Sequence, residues 1–126
     1  MADGPADIAP LLRVEGLSIG YRDAFGAMLP AVRELSFTLA EGASLGVVGE
    51  SGSGKSTAAR ALLGHYRAAG KRTGGRILIR GQAIDELDPA SLARLRGIDV
   101  AFVPQNPLSS LTYHLTVGVQ LVEVLR

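Results

Sequence analysis

The sequence predicts an α/β fold: an antiparallel β subdomain followed by part of a core sheet. Three observations carry this. Two runs alternate apolar and polar residues with the period of a half-buried strand: one through Leu12, Val14, Leu17, Ile19 and Tyr21, the other through Leu35, Phe37 and Leu39. Residues 43–48 are almost wholly apolar, the pattern of a central strand covered on both faces. That run passes through a glycine-rich loop, 49–57, directly into a helical pattern.

The elements follow in order. Residues 1–10 are small, acidic and Pro-containing, and are expected to be a loose arm ahead of one domain over 11–126. The first alternating run slips phase at Gly16-Leu17, which predicts a bulge. Residues 22–30 carry Asp, Gly and Pro and read as a loop before the second strand. After the glycine-rich loop, Ala58, Ala59, Leu62, Leu63 and Tyr66 share one side of a helix that Ala69-Gly70 ends, with Arg60, Gly64 and Arg67 on the other. Gly74-Gly75 opens a strand over 76–80. Asp88-Pro89 starts a short helix over 90–96, closed by Gly97. Residues 98–103 read as a second apolar strand and 104–113 as a polar loop. Thr116 caps a helix that runs over 116–126.

Composition narrows the function classes. The chain has 126 residues, 47% of them hydrophobic, enough for a real core. Only 20% are charged, and the mean hydropathy of +0.24 is high for a free-standing domain, so some apolar surface is expected to meet a partner. Thirteen basic against 12 acidic residues give a net charge of +1, so no nucleic-acid partner is expected. The absence of cysteine excludes disulfides, thiolate metal sites and a Cys nucleophile. There is no signal-peptide pattern, and no apolar run approaches the roughly 18 residues of a spanning helix, so no direct membrane insertion is expected.

The loop carries the chemistry. Gly49-Glu50-Ser51-Gly52-Ser53-Gly54-Lys55-Ser56-Thr57 matches G-x-x-x-x-G-K-[ST] in full, between an apolar run and a helix. A triphosphate is dense negative charge, and backbone N–H groups are its most rigid donors. Gly49, Gly52 and Gly54 let those groups curl around phosphate oxygens with no Cβ in the way. The following helix turns its N-terminus toward the phosphates. Lys55 sets a compact charge on the β and γ oxygens, the Ser56 hydroxyl ligates Mg²⁺, and Thr57 is a further donor.

The element order, with Gly74-Gly75-Arg76-Ile77-Leu78-Ile79-Arg80-Gly81 and Val103-Pro104-Gln105-Asn106-Pro107-Leu108-Ser109-Ser110-Leu111, resembles the nucleotide-binding domain of ABC transporters, a P-loop NTPase. The likeness is nearest to the oligopeptide, dipeptide and nickel importer group, and it runs from about residue 11 to the end. It implies binding of ATP with Mg²⁺ and, in a complete protein, hydrolysis by in-line attack of water that drives import of peptides or nickel. It implies that Tyr21, at the end of the first strand, stacks on adenine. Residues about 103–111 would be the Q-loop, in which Gln105 contacts Mg²⁺ and the attacking water. Lys55 and Gln105 would serve the reaction, and Ser56 and Gln105 the metal. The implied partners are membrane-spanning transporter subunits and a second ATPase domain, at the inner face of the cell membrane.

There are departures. The importer group has Asp after the Gln and Asn-Pro after Ser-Leu, where this chain has Asn106 and Thr112-Tyr113. The signature segment, the Walker B strand with its catalytic Glu and the switch His are not found, so the resemblance covers an N-terminal portion that stops near the start of the helical subdomain. On its own the chain is not expected to hydrolyse ATP. The family's core sheet interleaves its strands, so 98–103 would depend on neighbours from later in such a domain. Asp85, Glu86 and Asp88 read as a turn and a helix cap. Arg60, Arg67, Lys71, Arg72, Arg76 and Arg80 read as a solvated face. His65 and His114 lack metal-ligand spacing. A lobe of a split, DNA-associated ABC-type ATPase, a small-molecule kinase and a non-functional fragment with an exposed apolar edge remain as alternatives.

Overall fold

A computed structural model describes residues 9–67 and 69–125; most of the expected N-terminal arm and the last residue of the expected helix over 116–126 lie outside them. Strand β1 (Leu12–Arg22) has hydrogen-bonded neighbours on both edges, β2 (Met28–Leu39) on one and β3 (Gly70–Ile79) on the other. A two-residue strand β4 (Gln82–Ala83) completes an antiparallel sheet of order β2-β1-β3-β4. Val14 stands opposite Phe37 and Ile77, and Leu12 opposite Leu39 and Ile79, so apolar side chains meet across both ladders. The expected bulge is present. The registers shift between Val14 and Leu17, Gly16 has φ +56°, and its N–H donates to Ser36 Oγ at 2.8 Å. This shift turns both Val14 and Leu17 to the core.

Two strands start earlier than expected. Met28 and Pro30, read as loop, belong to β2; Pro30 is tolerated because β2 is an edge strand. The β1–β2 turn is tightened by Asp23, whose Oδ1 accepts from the Phe25 N–H at 2.9 Å and the Ala27 N–H at 2.8 Å. β3 starts at Gly70 rather than Gly74 because Tyr21 and Gly20 pair with Gly70 and Lys71.

Helix α1 (Lys55–Ala61) lies on the sheet. Val14, Leu17, Ile19, Val32, Ala61, Ile77 and Ile84 form the buried core, with Ala58, Leu62 and Tyr66 packed against it. α1 is shorter than the periodicity predicts. Gly64, read as part of the helix's polar side, takes φ +61°; its N–H donates to Ala61 O at 2.8 Å, and the His65 N–H donates to Arg60 O at 3.2 Å. These are the two bonds of a Schellman end, and the left-handed residue it requires is a glycine.

Helix α2 (Pro89–Arg94) begins as expected at Asp88 and continues into a π-helical turn, Leu95–Asp99, rather than closing at Gly97. Helix α3 (Val117–Val124) is capped by Thr116, whose Oγ1 accepts from the Val119 N–H at 3.4 Å.

The two core strands expected at 43–48 and 98–103 are not formed. An apolar segment becomes a strand only when another backbone satisfies its N–H and C=O groups. Among the described residues neither segment has such a neighbour, and Val48 is 94% and Val103 84% exposed. Leu45, Val47, Phe102 and Val103 instead line an open apolar cleft of about 510 Å³ with Leu17 and Phe37. Among the described residues the antiparallel sheet is thus formed, and the two expected core strands are present only as unpaired chain.

Asp88 caps α2 by accepting from the N–H groups of Ala90 (2.9 Å) and Ser91 (3.0 Å) and from Ser91 Oγ (2.6 Å). These bonds, led by that of the Ser91 side chain, hold its carboxyl below the usual carboxylate range. The stabilisation is therefore present above the unfolded-state pKa and lost as pH falls through the folded value. Asp88→Ala is expected to lower the thermal midpoint at pH 7, and the gap to the unsubstituted chain should close in strongly acidic buffer. Thermal melts followed by circular dichroism across that range check it.

Candidate functional site

The glycine-rich loop lies between the unpaired segment 43–48 and α1, and short contacts set its shape. The Ser53 N–H donates to Glu50 O at 3.1 Å. Gly54 sits at φ +91°, and a Cβ there would stand 2.5 Å from Ala31 O and 3.2 Å from Val32 Cγ2. Only glycine allows both that dihedral and that approach to β2. The first intrahelical bond runs from the Ala58 N–H to Gly54 O at 2.9 Å, so the N–H groups ahead of it have no helical acceptor.

Lys55 folds back onto the loop. Its Nζ donates to Gly49 O and Glu50 O, each at 2.7 Å, and to Ser53 Oγ at 3.3 Å. These acceptors are neutral. A phosphate oxygen, being charged, is the stronger partner for an ammonium, so the lysine can exchange one for the other.

Tyr21, near the end of β1, lies against Gly70, where an added Cβ would meet its ring at 2.5 Å. Its hydroxyl stands 3.4 Å from Thr57 Oγ1. Tyr21, Ser56, Thr57 and Gln105 come together around one open cleft of about 700 Å³, joined there by Arg60 and Arg67. Gly49, Ser53, Gly54 and Lys55 line a neighbouring depression against residues 30–33 of β2. Glu50, Ser51 and Gly52 are exposed at the loop's tip. The predicted site residues thus occupy adjoining surfaces, with Ser56 and Lys55 consecutive at the boundary.

The donor set suits a magnesium ion. Among the described residues no group of three or more His, Asp or Glu side chains could hold a metal by itself. Magnesium usually keeps several waters and takes one or two protein ligands beside substrate phosphates. Ser56 and Gln105 on one cleft offer such a set.

Other candidates resolve into structure. Asp85 pairs with Arg72, and Asp88 is a cap. His65 and His114 are exposed. Three contributors lie beyond what the pattern indicated. Arg60 and Arg67 enter the cleft, and Arg60 also stands over the Phe102 ring, 5.7 Å from its centroid. Gln120 brackets the chain ahead of α3: its Nε2 donates to Thr112 O (3.1 Å) and Leu115 O (3.0 Å), and its Oε1 accepts from the Thr112 N–H (2.8 Å). No motif in the sequence marks such a bracket.

Residues 32–121 match the family model described as ABC transporter. A Brucella abortus protein named for peptide import ATP-binding is 42% identical over 118 residues, which cover 94% of this chain and 35% of that relative. The oligopeptide transport ATP-binding protein OppD of Escherichia coli is 42% identical over 115 residues, 91% of this chain and 34% of the relative. The glutathione import ATP-binding protein GsiA of Shigella dysenteriae is 40% identical over 126 residues, 95% of this chain and 19% of the relative. The chain therefore spans roughly a third or less of the length of these relatives.

Gly54→Ala adds a backbone clash and a disfavoured dihedral together, and is expected to cost about 3 kcal/mol of unfolding free energy. Gly46→Ala, where an added Cβ meets nothing within 4 Å, is the control and should stay within about 1 kcal/mol. Denaturant titration of the two variants measures both.

Proposed function

The chain belongs to the ABC transporter family, and from that premise we propose that it is the N-terminal portion of an ATP-binding subunit serving solute import. Membership implies nucleotide binding. The finer reading is that the loop at 49–57 holds the phosphates of ATP, with Lys55 on the β and γ oxygens and Ser56 and Gln105 facing Mg²⁺. Thr57 donates beside them, and Tyr21 lies under the base. The observation that supports this most is the single cleft shared by Tyr21, Ser56, Thr57 and Gln105, which come from three separate stretches of chain.

The chemistry divides among these groups. Bound Mg²⁺ would supply positive charge against the phosphate oxygens. Lys55 adds a second charge and gives up only neutral acceptors to do so. Gln105 is a neutral amide, able to accept from a water and to donate to an oxygen, so it orients but does not take a proton. Turnover requires a proton acceptor from outside this set, so these residues are read as a binding lobe rather than a complete hydrolase.

The relatives' names point to the cargo class. Peptide, oligopeptide and glutathione all present amide-linked amino acids, so a peptide is the proposed solute, ahead of nickel. The proposed partners are membrane-spanning permease subunits and a second ATPase domain, with this portion on the cytoplasmic side of the membrane. No helix among the described residues is long and apolar enough to cross a membrane. The unpaired segments and the open apolar cleft favour a second reading, in which these residues bind nucleotide only once further strands cover them.

Calorimetric titration of the purified chain with Mg-ATP separates the two. The binding-lobe reading expects saturable binding that Lys55→Ala weakens roughly 10–100-fold, the worth of a charge-assisted bond. Tyr21→Ala should weaken it about tenfold through lost stacking. Unchanged affinity in Lys55→Ala would sink the loop assignment, and a soluble sample with no binding at all would favour the second reading.

A further inference from the structure

We propose that Arg96 is a positioning residue: it ties the end of α1 to the segment that carries Gln105, and so sets the reach of that amide to the phosphate loop. The inference rests on the nucleotide-binding reading for its functional half, and on geometry alone for the tether.

The geometry is a two-point grip. Arg96 Nε donates to Leu63 O at 2.7 Å, and its Nη2 donates to Gly64 O at 2.9 Å. Carbonyls at a helix end have no intrahelical donor, so they are free to accept, and a cation there also faces the negative end of the helix. The planar guanidinium spans two successive carbonyls with two fixed N–H vectors, which the single ammonium of lysine does not reproduce. Gly64 makes the approach possible. A Cβ there would stand 3.4 Å from Arg96 Nη2, and the residue already sits at φ +61° to end the helix.

A second contact joins the same two segments. Arg60, on α1, lies over the ring of Phe102 at 5.7 Å. One cation thus reaches from the segment to the helix and another from the helix to the segment, and Gln105 follows Phe102 by three residues. Leu95, buried beside Arg96, anchors the start of the segment in the protein. Between that anchor and the glutamine, residues 100–105 have no strand neighbour among the described residues. The Arg96 and Arg60 contacts therefore replace a ladder as the means of holding Gln105 in place.

Arg96 is exposed. Water can take over both carbonyls when it is removed, so the loss should fall on position rather than on stability. That difference makes the idea testable. The chain has no cysteine, so His65→Cys with Leu108→Cys gives a unique pair for spin labels, one beyond α1 and one beyond Gln105. Distance distributions, and ATP affinity with and without Mg²⁺, are measured in this background with Arg96 intact, with Arg96→Ala and with Arg96→Lys.

The expected result is a broadened distance in Arg96→Ala. The gain in ATP affinity from Mg²⁺ should fall about tenfold, the usual order for a group that orients a metal ligand, while metal-free affinity holds. Arg96→Lys should fall between. If Arg96→Ala unfolds at the working temperature, Arg96→Lys decides by the same two readouts. An unchanged distance overturns the tether. A broadened distance with an unchanged Mg²⁺ gain overturns its functional half. Absence of ATP binding with Arg96 intact overturns the functional half for these residues by themselves, together with the binding-lobe reading, and the distance measurement still decides the tether.

Discussion

Backbone hydrogen bonding along both edges of β1 is the constraint from which the rest follows. A strand satisfied on two sides can turn its core face wholly away from water without stranding a donor or acceptor. Leu17, Ile19 and Val14 are buried to that degree, each contributing about 1.5–3 kcal/mol of hydrophobic stabilisation. α1 has a firm surface to lie on, and Ala61 is small enough to let the helix sit close. The glycine-rich loop is then held at its C-terminal end, by α1 behind it and by the contact of Gly54 with β2 beneath it. Where such double pairing is missing, at 43–48 and 100–103, equally apolar residues stay in solvent.

The site joins a rigid part to a less constrained one. Tyr21, Ser56 and Thr57 stand on β1 and α1, which pack directly on the core. Gln105 stands on chain held by side-chain contacts. A neutral amide such as that of Gln105 can shift without moving a net charge, so it costs little to displace. The lysine shows a related economy. Its ammonium is held by two loop carbonyls and a hydroxyl, all neutral acceptors.

Much of this was legible in the residues. Alternation located β1 and β2, the phase slip at Gly16-Leu17 located the bulge, and Asp88-Pro89 and Thr116 marked two helix starts, because each depends on neighbours close in sequence. The loop motif, together with the element order and the segment around Gln105, carries the resemblance to the family that the comparison shows. What failed depends on distant chain. The apolar runs at 43–48 and 98–103 have the composition of buried strands, but composition does not supply a partner. Gly64 differs from the periodic pattern because one glycine in a helical pattern signals either tolerance or an end, and only the bonds at Ala61 and Arg60 decide between them. Arg96 and Gln120 act on main-chain carbonyls, which every residue has, so no spacing announces them.

The antiparallel pairing also orders events in time. β2 follows β1 across a tight turn already braced by Asp23, so that hairpin closes at small entropic cost. β3 reaches the other edge of β1 only after the chain has run out through the glycine-rich loop, along α1 and past its end. Non-local closure of this kind is the slow step in assembling a sheet. When it happens, the stretch that carries the loop and α1 is closed between two strands that both pair with β1. A nascent chain that has emerged from the ribosome as far as Tyr66 would hold the hairpin alone; emergence of residues 70–79 is the point at which β1 can gain its second edge.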